Sequence, residues 1–142
     1  MIQRIQSIWL VIVAITAFAT SRLTLYIGKT ATGTEIPFEL AGNLLLAIII
    51  ILLGIFALIC LFLYKNRKLQ FKISVFGVIL SIGFLFLEYY VVENIFKVKN
   101  SIVSGSYQIG AILPVVMVIF FVMAARGIYK DERLVKSMDR LR

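Results

Sequence analysis

Four apolar blocks separated by polar segments set out this chain. The most uniform of them, Leu44 to Leu63, reads LLLAIIIILLGIFALICLFL and carries no charge over twenty residues. A helix of that length rises about 30 Å, the thickness of a bilayer's hydrocarbon core. A soluble core helix keeps one stripe in water and places charge there, so apolarity on every face predicts a membrane span. The same reading along the chain predicts spans at about 5–26, 44–64, 73–92 and 107–125, with a polar tail at 126–142. The expected fold is a single integral membrane domain, 1–142: an all-α membrane protein, a four-helix transmembrane bundle with short extracytoplasmic β-hairpins and a cytoplasmic C-terminal amphipathic helix.

The segments between the blocks carry further signals. Arg4, an apolar stretch from Ile8 to Thr16, and Ala17-Phe18-Ala19 together match a cleavable signal peptide, but the apolar run extends close to span length and is read as an uncleaved span. Gly28, Gly33 and Pro37 mark an aqueous loop at 22–40, in which Thr24-Leu25-Tyr26-Ile27 and Thr34-Glu35-Ile36 favour β-structure around a turn at Thr32-Gly33. Lys65-Asn66-Arg67-Lys68 with Lys72 forms a short basic connector, so the second and third spans must be antiparallel neighbours. The loop at 93–106, with Phe96, Val98, Ile102 and Val103 around Lys99-Asn100-Ser101, predicts a second hairpin, and the two hairpins lie on one side, where they can pair. Pro114 inside the fourth span removes a backbone donor and crowds the carbonyl of Gly110, where the missing side chain eases the strain, so a helix kink is expected between Gly110 and Pro114.

Composition fits this placement, since 61% of the 142 residues are hydrophobic, 15% are charged, and the mean hydropathy is +1.01. The formal net charge of +8 would suit nucleic acid if it were spread over the surface. Instead, eleven Lys and Arg residues fall at Arg4, in the 65–72 connector and in the tail, and only four (Arg22, Lys29, Lys97, Lys99) fall in the other loops. By the positive-inside rule both termini are cytoplasmic, and orientation accounts for the whole excess, so no nucleic-acid partner is expected. Trp9, Tyr64 and Tyr129 then fall near the inner interface, and Tyr26, Tyr89, Tyr90 and Tyr107 near the outer one.

The chemistry is bounded by absence. With no His there is no imidazole base or ligand, and the single Cys60 has no disulfide or CxxC partner and reads as an apolar packing residue. No cofactor, metal or catalytic constellation is expected, and the chain is read as no enzyme. Small residues recur at helical spacing (Ala14, Ala17, Ser21; Ala47, Gly54, Ala57; Ser74, Gly77, Ser81) and are expected to pack the bundle itself, with a homo-oligomer or a larger partner as the other reading. Glu88 is the one acid at the edge of a span. It is a candidate intramembrane polar site, but the preferred reading is an interfacial carboxylate that snorkels outward between Tyr89 and Tyr90.

Ile2-Gln3-Arg4-Ile5-Gln6, the Gly110-Ala111-Ile112-Leu113-Pro114 opening of the last span, and above all the tail from Tyr129 to Arg142 resemble the bacterial four-span membrane family called domain of unknown function 4293. The resemblance covers essentially the full length. It departs at Ala124-Ala125, where members carry a polar residue before the Arg that closes the span. What it implies is a topology and a bacterial inner membrane, with no activity and no site residues.

The tail carries the leading functional expectation. Leu134, Val135, Met138 and Leu141 recur at three- and four-residue steps as one apolar seam, flanked by Arg133, Lys136 and Arg140. Glu132 before Lys136, and Asp139 near Lys136 and Arg142, contribute only a few tenths of a kcal/mol each, so the seam needs a surface. Mixed signs fix register against a protein partner or the 65–72 connector better than they serve lipid alone. The expected function is a non-enzymatic accessory or scaffolding subunit docked through this tail, with membrane lipids and a protein partner or second copy around it. The alternative is a small transporter or lipid-handling protein using Glu88.

Overall fold

In the computed structural model, which describes residues 3–139, two asparagines start the central helices. The Asn43 side chain accepts a hydrogen bond from the Leu46 N–H at 3.3 Å and opens α2, Leu44–Phe62. Asn66 does the same for Leu69 at 3.3 Å and opens α3, Arg67–Tyr90. Each satisfies a backbone donor that the first helical turn leaves without a partner. The first helix, α1, covers Gln3–Thr20, and the last, α4, covers Ile109–Asp139. Packing contacts join α1 to α2, α2 to α3, α3 to α4 and α4 back to α1, so the four helices close a ring around one core.

The register is carried by close approaches. Ala17 meets Gly54 between α1 and α2, and Gly77 lies against the Phe121 ring, where a Cβ would stand 2.6 Å away. Trp9 stacks on Phe120 with ring centroids 5.3 Å apart, and Gln6 packs on Gly127. These pairs run in opposite chain directions, so the start of α1, the α2–α3 turn and the later part of α4 share one end of the bundle. The other end carries a sheet. Helices α2, α3 and α4 are long and apolar enough to cross a membrane, and Gln6–Thr20 of α1 is a shorter apolar helix.

The sheet has the order β2-β1-β3, all antiparallel, with β1 at Thr24–Thr30, β2 at Glu35–Glu39 and β3 at Ile102–Tyr107. The first hairpin stands where its sequence places it, and Gly33 turns it with φ 81°, a conformation natural to glycine. No second hairpin forms. After α3 the chain stays helical through a π-turn, Val91–Phe96, and a last turn, Lys97–Lys99, and then reverses at Ser101 with φ 51°. Only the six residues of β3 remain before α4, too few for two strands and a turn, and the open edge of β1 takes them.

Other boundaries move for similar reasons. The first span ends at Thr20 rather than 26, because Tyr26 is 1% exposed inside the sheet, edge-on to Tyr107 at 5.0 Å and to Phe96 at 6.2 Å, and is no interface anchor. The third helix begins at Arg67 rather than 73, taking most of the basic connector into its first turns. The fourth helix does not stop at 125. It continues through the tail to Asp139 without folding back, with Pro114 inside it.

Candidate functional site

The buried face of α3 is where polarity concentrates. Gln70, Ser74, Gly77, Ser81, Phe84 and Glu88 recur at three- and four-residue steps and all face the core. Gln70 Nε2 donates to the Cys60 carbonyl at 3.0 Å, and Cys60 Sγ donates back to the Gln70 carbonyl at 3.3 Å and lies 3.0 Å from Ser74 Oγ. Ser81 Oγ donates to the Val78 carbonyl at 2.9 Å within its own helix. Each of these groups is satisfied, as burial in an apolar bundle demands.

Glu88 breaks the rule. It is 2% exposed, and neither carboxyl oxygen has a hydrogen-bond partner among the described residues. Its neighbours Tyr89 and Tyr90 are about 60% exposed, so the tyrosines face outward and the carboxyl faces inward, and the outward snorkel is corrected. With Gly77 opposite Phe121 and Arg67 opposite Asp131, eleven residues further along α3 the same antiparallel register brings Glu88 level with Gly110. Pro114 supplies no N–H to the Gly110 carbonyl. Gly110 itself lies on β1: a Cβ there would stand 2.5 Å from the Thr24 carbonyl oxygen, and the Gln108 N–H donates to the Leu25 carbonyl at 2.9 Å. The glycine is thus required by this seat on the sheet as well as by the proline. Past Glu88, the π-turn carries Glu93, which accepts from Lys97 and, at 3.2 Å, from the Tyr107 hydroxyl. Burial first and the Glu93 charge second raise the Tyr107 phenol above its usual range, so the donor keeps its proton at neutral pH.

A second polar centre lies at the opposite end. Arg67 and Asp131 form an ion pair at 3.6 Å, the Asp side chain 7% and the Arg 27% exposed. They line a cavity of about 30 Å³ with Gln6, Ser7, Tyr64 and Gln70. Gln6 Nε2 is buried there without a hydrogen-bond partner among the described residues, and the space admits a water molecule that would supply one. The pair ties the root of the tail to the first turn of α3, the connector contact that the mixed charges pointed to. Arg67→Gln would strand a buried carboxylate, and since Arg67 is partly in solvent the expected loss is about 1–3 kcal/mol. Adding Asp131→Asn should restore most of it, and a double-mutant cycle on detergent melting checks the coupling.

Of the tail residues singled out by sequence, Arg133 and Leu134 are exposed on α4, Leu134 by 44%. The side chains of Val135, Lys136 and Met138, and Arg140 and Leu141 altogether, lie outside the described residues. Among the described residues no cluster of His, Cys, Asp or Glu could hold a metal ion. Sequence reasoning missed Gln6, Arg67, Gln70 and Asp131. For Gln70 the signal was present, because the step from Gln70 to Ser74 to Gly77 continues the buried face of α3 below the predicted start of the span.

A family described as Domain of unknown function (DUF4293) matches residues 2–141. No curated protein and no solved structure matches the chain.

Proposed function

Because the chain belongs to the DUF4293 family, whose description assigns no activity, we propose its function from geometry: a non-enzymatic accessory or scaffolding subunit that docks a protein partner through the C-terminal arm of α4. In this reading it is a four-span protein of the bacterial inner membrane with both termini cytoplasmic. The clustering of Arg67, Lys68, Lys72, Arg126, Lys130 and Arg133 at one end of the bundle supports that orientation. The observation that carries the docking role is the length of α4. Its 31 residues rise about 46 Å, some 16 Å more than the hydrocarbon core, so the last turns extend past the membrane as a helix rather than as a loose tail. The Arg67–Asp131 pair ties the root of this arm to α3. Exposed Leu134 begins the apolar seam on it.

Changing Leu134 and Met138 together to Ser should abolish copurification of the partner in mild detergent while leaving membrane insertion intact. Copurification that survives the double change would remove the docking role.

A second reading rests on Glu88. An unpartnered, buried carboxyl one turn before a π-turn is the kind of polar site that small membrane transporters and lipid-handling proteins use. The cavities at the sheet end, at the α1–α2 face and at the α3–α4 face do not include Glu88 in their walls.

A further inference from the structure

The outer face between α3 and α4 holds a groove of about 390 Å³, and we propose that it binds one anionic phospholipid, its acyl chain along the groove and its phosphate on Arg126. This rests on the membrane placement proposed above and is independent of the docking arm. Val75, Val78, Ile79 and Val122 form the walls, and Ala125 keeps the floor low. From Ile79 to Phe71 the groove follows about 12 Å of helix, enough for the straight part of an acyl chain. In a bilayer such a furrow on the outer surface of a bundle is filled by lipid tails.

The end of the groove selects the headgroup. Phe71 and Tyr129, with ring centroids 5.8 Å apart, close it, and among the described residues Arg126 is the one charged residue in its wall. Exposed Lys130 stands one turn beyond Arg126 on the same face of α4, and exposed Lys72 adjoins Phe71 on α3. The acids nearby do not cancel this charge. Asp131 is turned into the bundle and paired with Arg67, and Glu132 lies about 200° around the helix from Lys130 at ~100° per residue. A cationic rim above an apolar furrow complements a lipid that joins phosphate to hydrocarbon. It opposes a second copy of this chain, because a two-fold contact would set Arg126 against Arg126.

The test is native mass spectrometry of the full chain, delipidated in mild detergent and given phosphatidylglycerol or phosphatidylcholine with identical acyl chains. One phosphatidylglycerol per chain should be retained about fivefold over phosphatidylcholine, the factor that one basic residue near an anionic headgroup supplies. Arg126→Gln should lower that preference, and Val75→Phe, which fills the groove from an already exposed position, should reduce retention of both lipids. Equal retention of the two lipids by the wild-type chain, an Arg126→Gln variant with unchanged preference, or a lipid-free dimer would each overturn the proposal. Carbonate extraction of membranes tests the underlying placement separately, since it releases a peripheral protein and leaves a spanning one behind.

Discussion

Gly110→Ala is expected to unseat α4 from the sheet and to lower the detergent melting temperature. The added Cβ would sit 2.5 Å from the Thr24 carbonyl oxygen and 3.0 Å from its carbon, both backbone atoms that cannot rotate away. Alanine's better helix propensity returns at most ~1 kcal/mol, whereas overpacking against rigid neighbours costs about 1–3 kcal/mol and, against backbone, the upper end of that range or more. The clash therefore wins. The Gln108 to Leu25 hydrogen bond is the first contact it would break, and faster hydrogen exchange at the Gln108 amide than in the wild type would locate the damage. An unchanged melting temperature with unchanged exchange there would mean that α4 does not rest on β1 as described.

Glu88→Met is expected to have the second large effect, and in the opposite direction. A buried carboxyl without partners costs about 1–3 kcal/mol that an apolar side chain of similar length does not, so the Met variant should melt higher. Glu88→Gln keeps polar atoms that still need partners and should recover little of this. The gap between the two variants isolates hydrogen bonding from shape. A Met variant that melts lower than wild type would show that the carboxyl is held by a partner. The same proteins in vesicles loaded with a pH-sensitive dye address the transport reading: if Glu88 moves protons, the wild type collapses an imposed gradient and both variants lose that activity.

What the sequence discloses and what it hides divides along local and non-local lines. The predicted span 44–64 and the observed Leu44–Phe62 agree because hydrophobic length alone decides a lipid-embedded helix. The Thr24–Ile36 hairpin is legible because its β-favouring residues and its glycine turn are contiguous. β3 is legible only in part: the expected pairing of the two outer loops holds as the β1–β3 ladder, but the second hairpin does not form, and the register is out of reach because β1 lies more than seventy residues earlier. The start of α3 is hidden for a different reason. Charge in Arg67, Lys68 and Lys72 signals the end of the apolar run, but leaving the apolar run is not the same as leaving the helix, and the Asn66 cap decides the latter. The tail repeats that lesson, because α4 crosses the boundary near 125 without a break.

Glu88 was visible as a residue and misread in direction. Its burial follows from the phase of α3: counting back by sevens from Glu88 gives Ser81 and Ser74, and Gln70 lies one turn further, so the same face carries every buried polar group of the helix. Tyr89 and Tyr90 fall on the outward face by the same count. The turn-end centre was out of reach of such reasoning, because Gln6, Arg67 and Asp131 come from three helices and no spacing within one of them predicts their meeting.

The docking arm is tested most directly in intact membranes. With a photoreactive amino acid in place of exposed Arg133, irradiation should yield a discrete adduct heavier than the chain, whereas the same amino acid in place of Val103, 75% exposed on β3 at the far end, should yield none. An absence of protein adducts at 133, or an equal yield at 103, would contradict a role for the C-terminal arm in binding a partner.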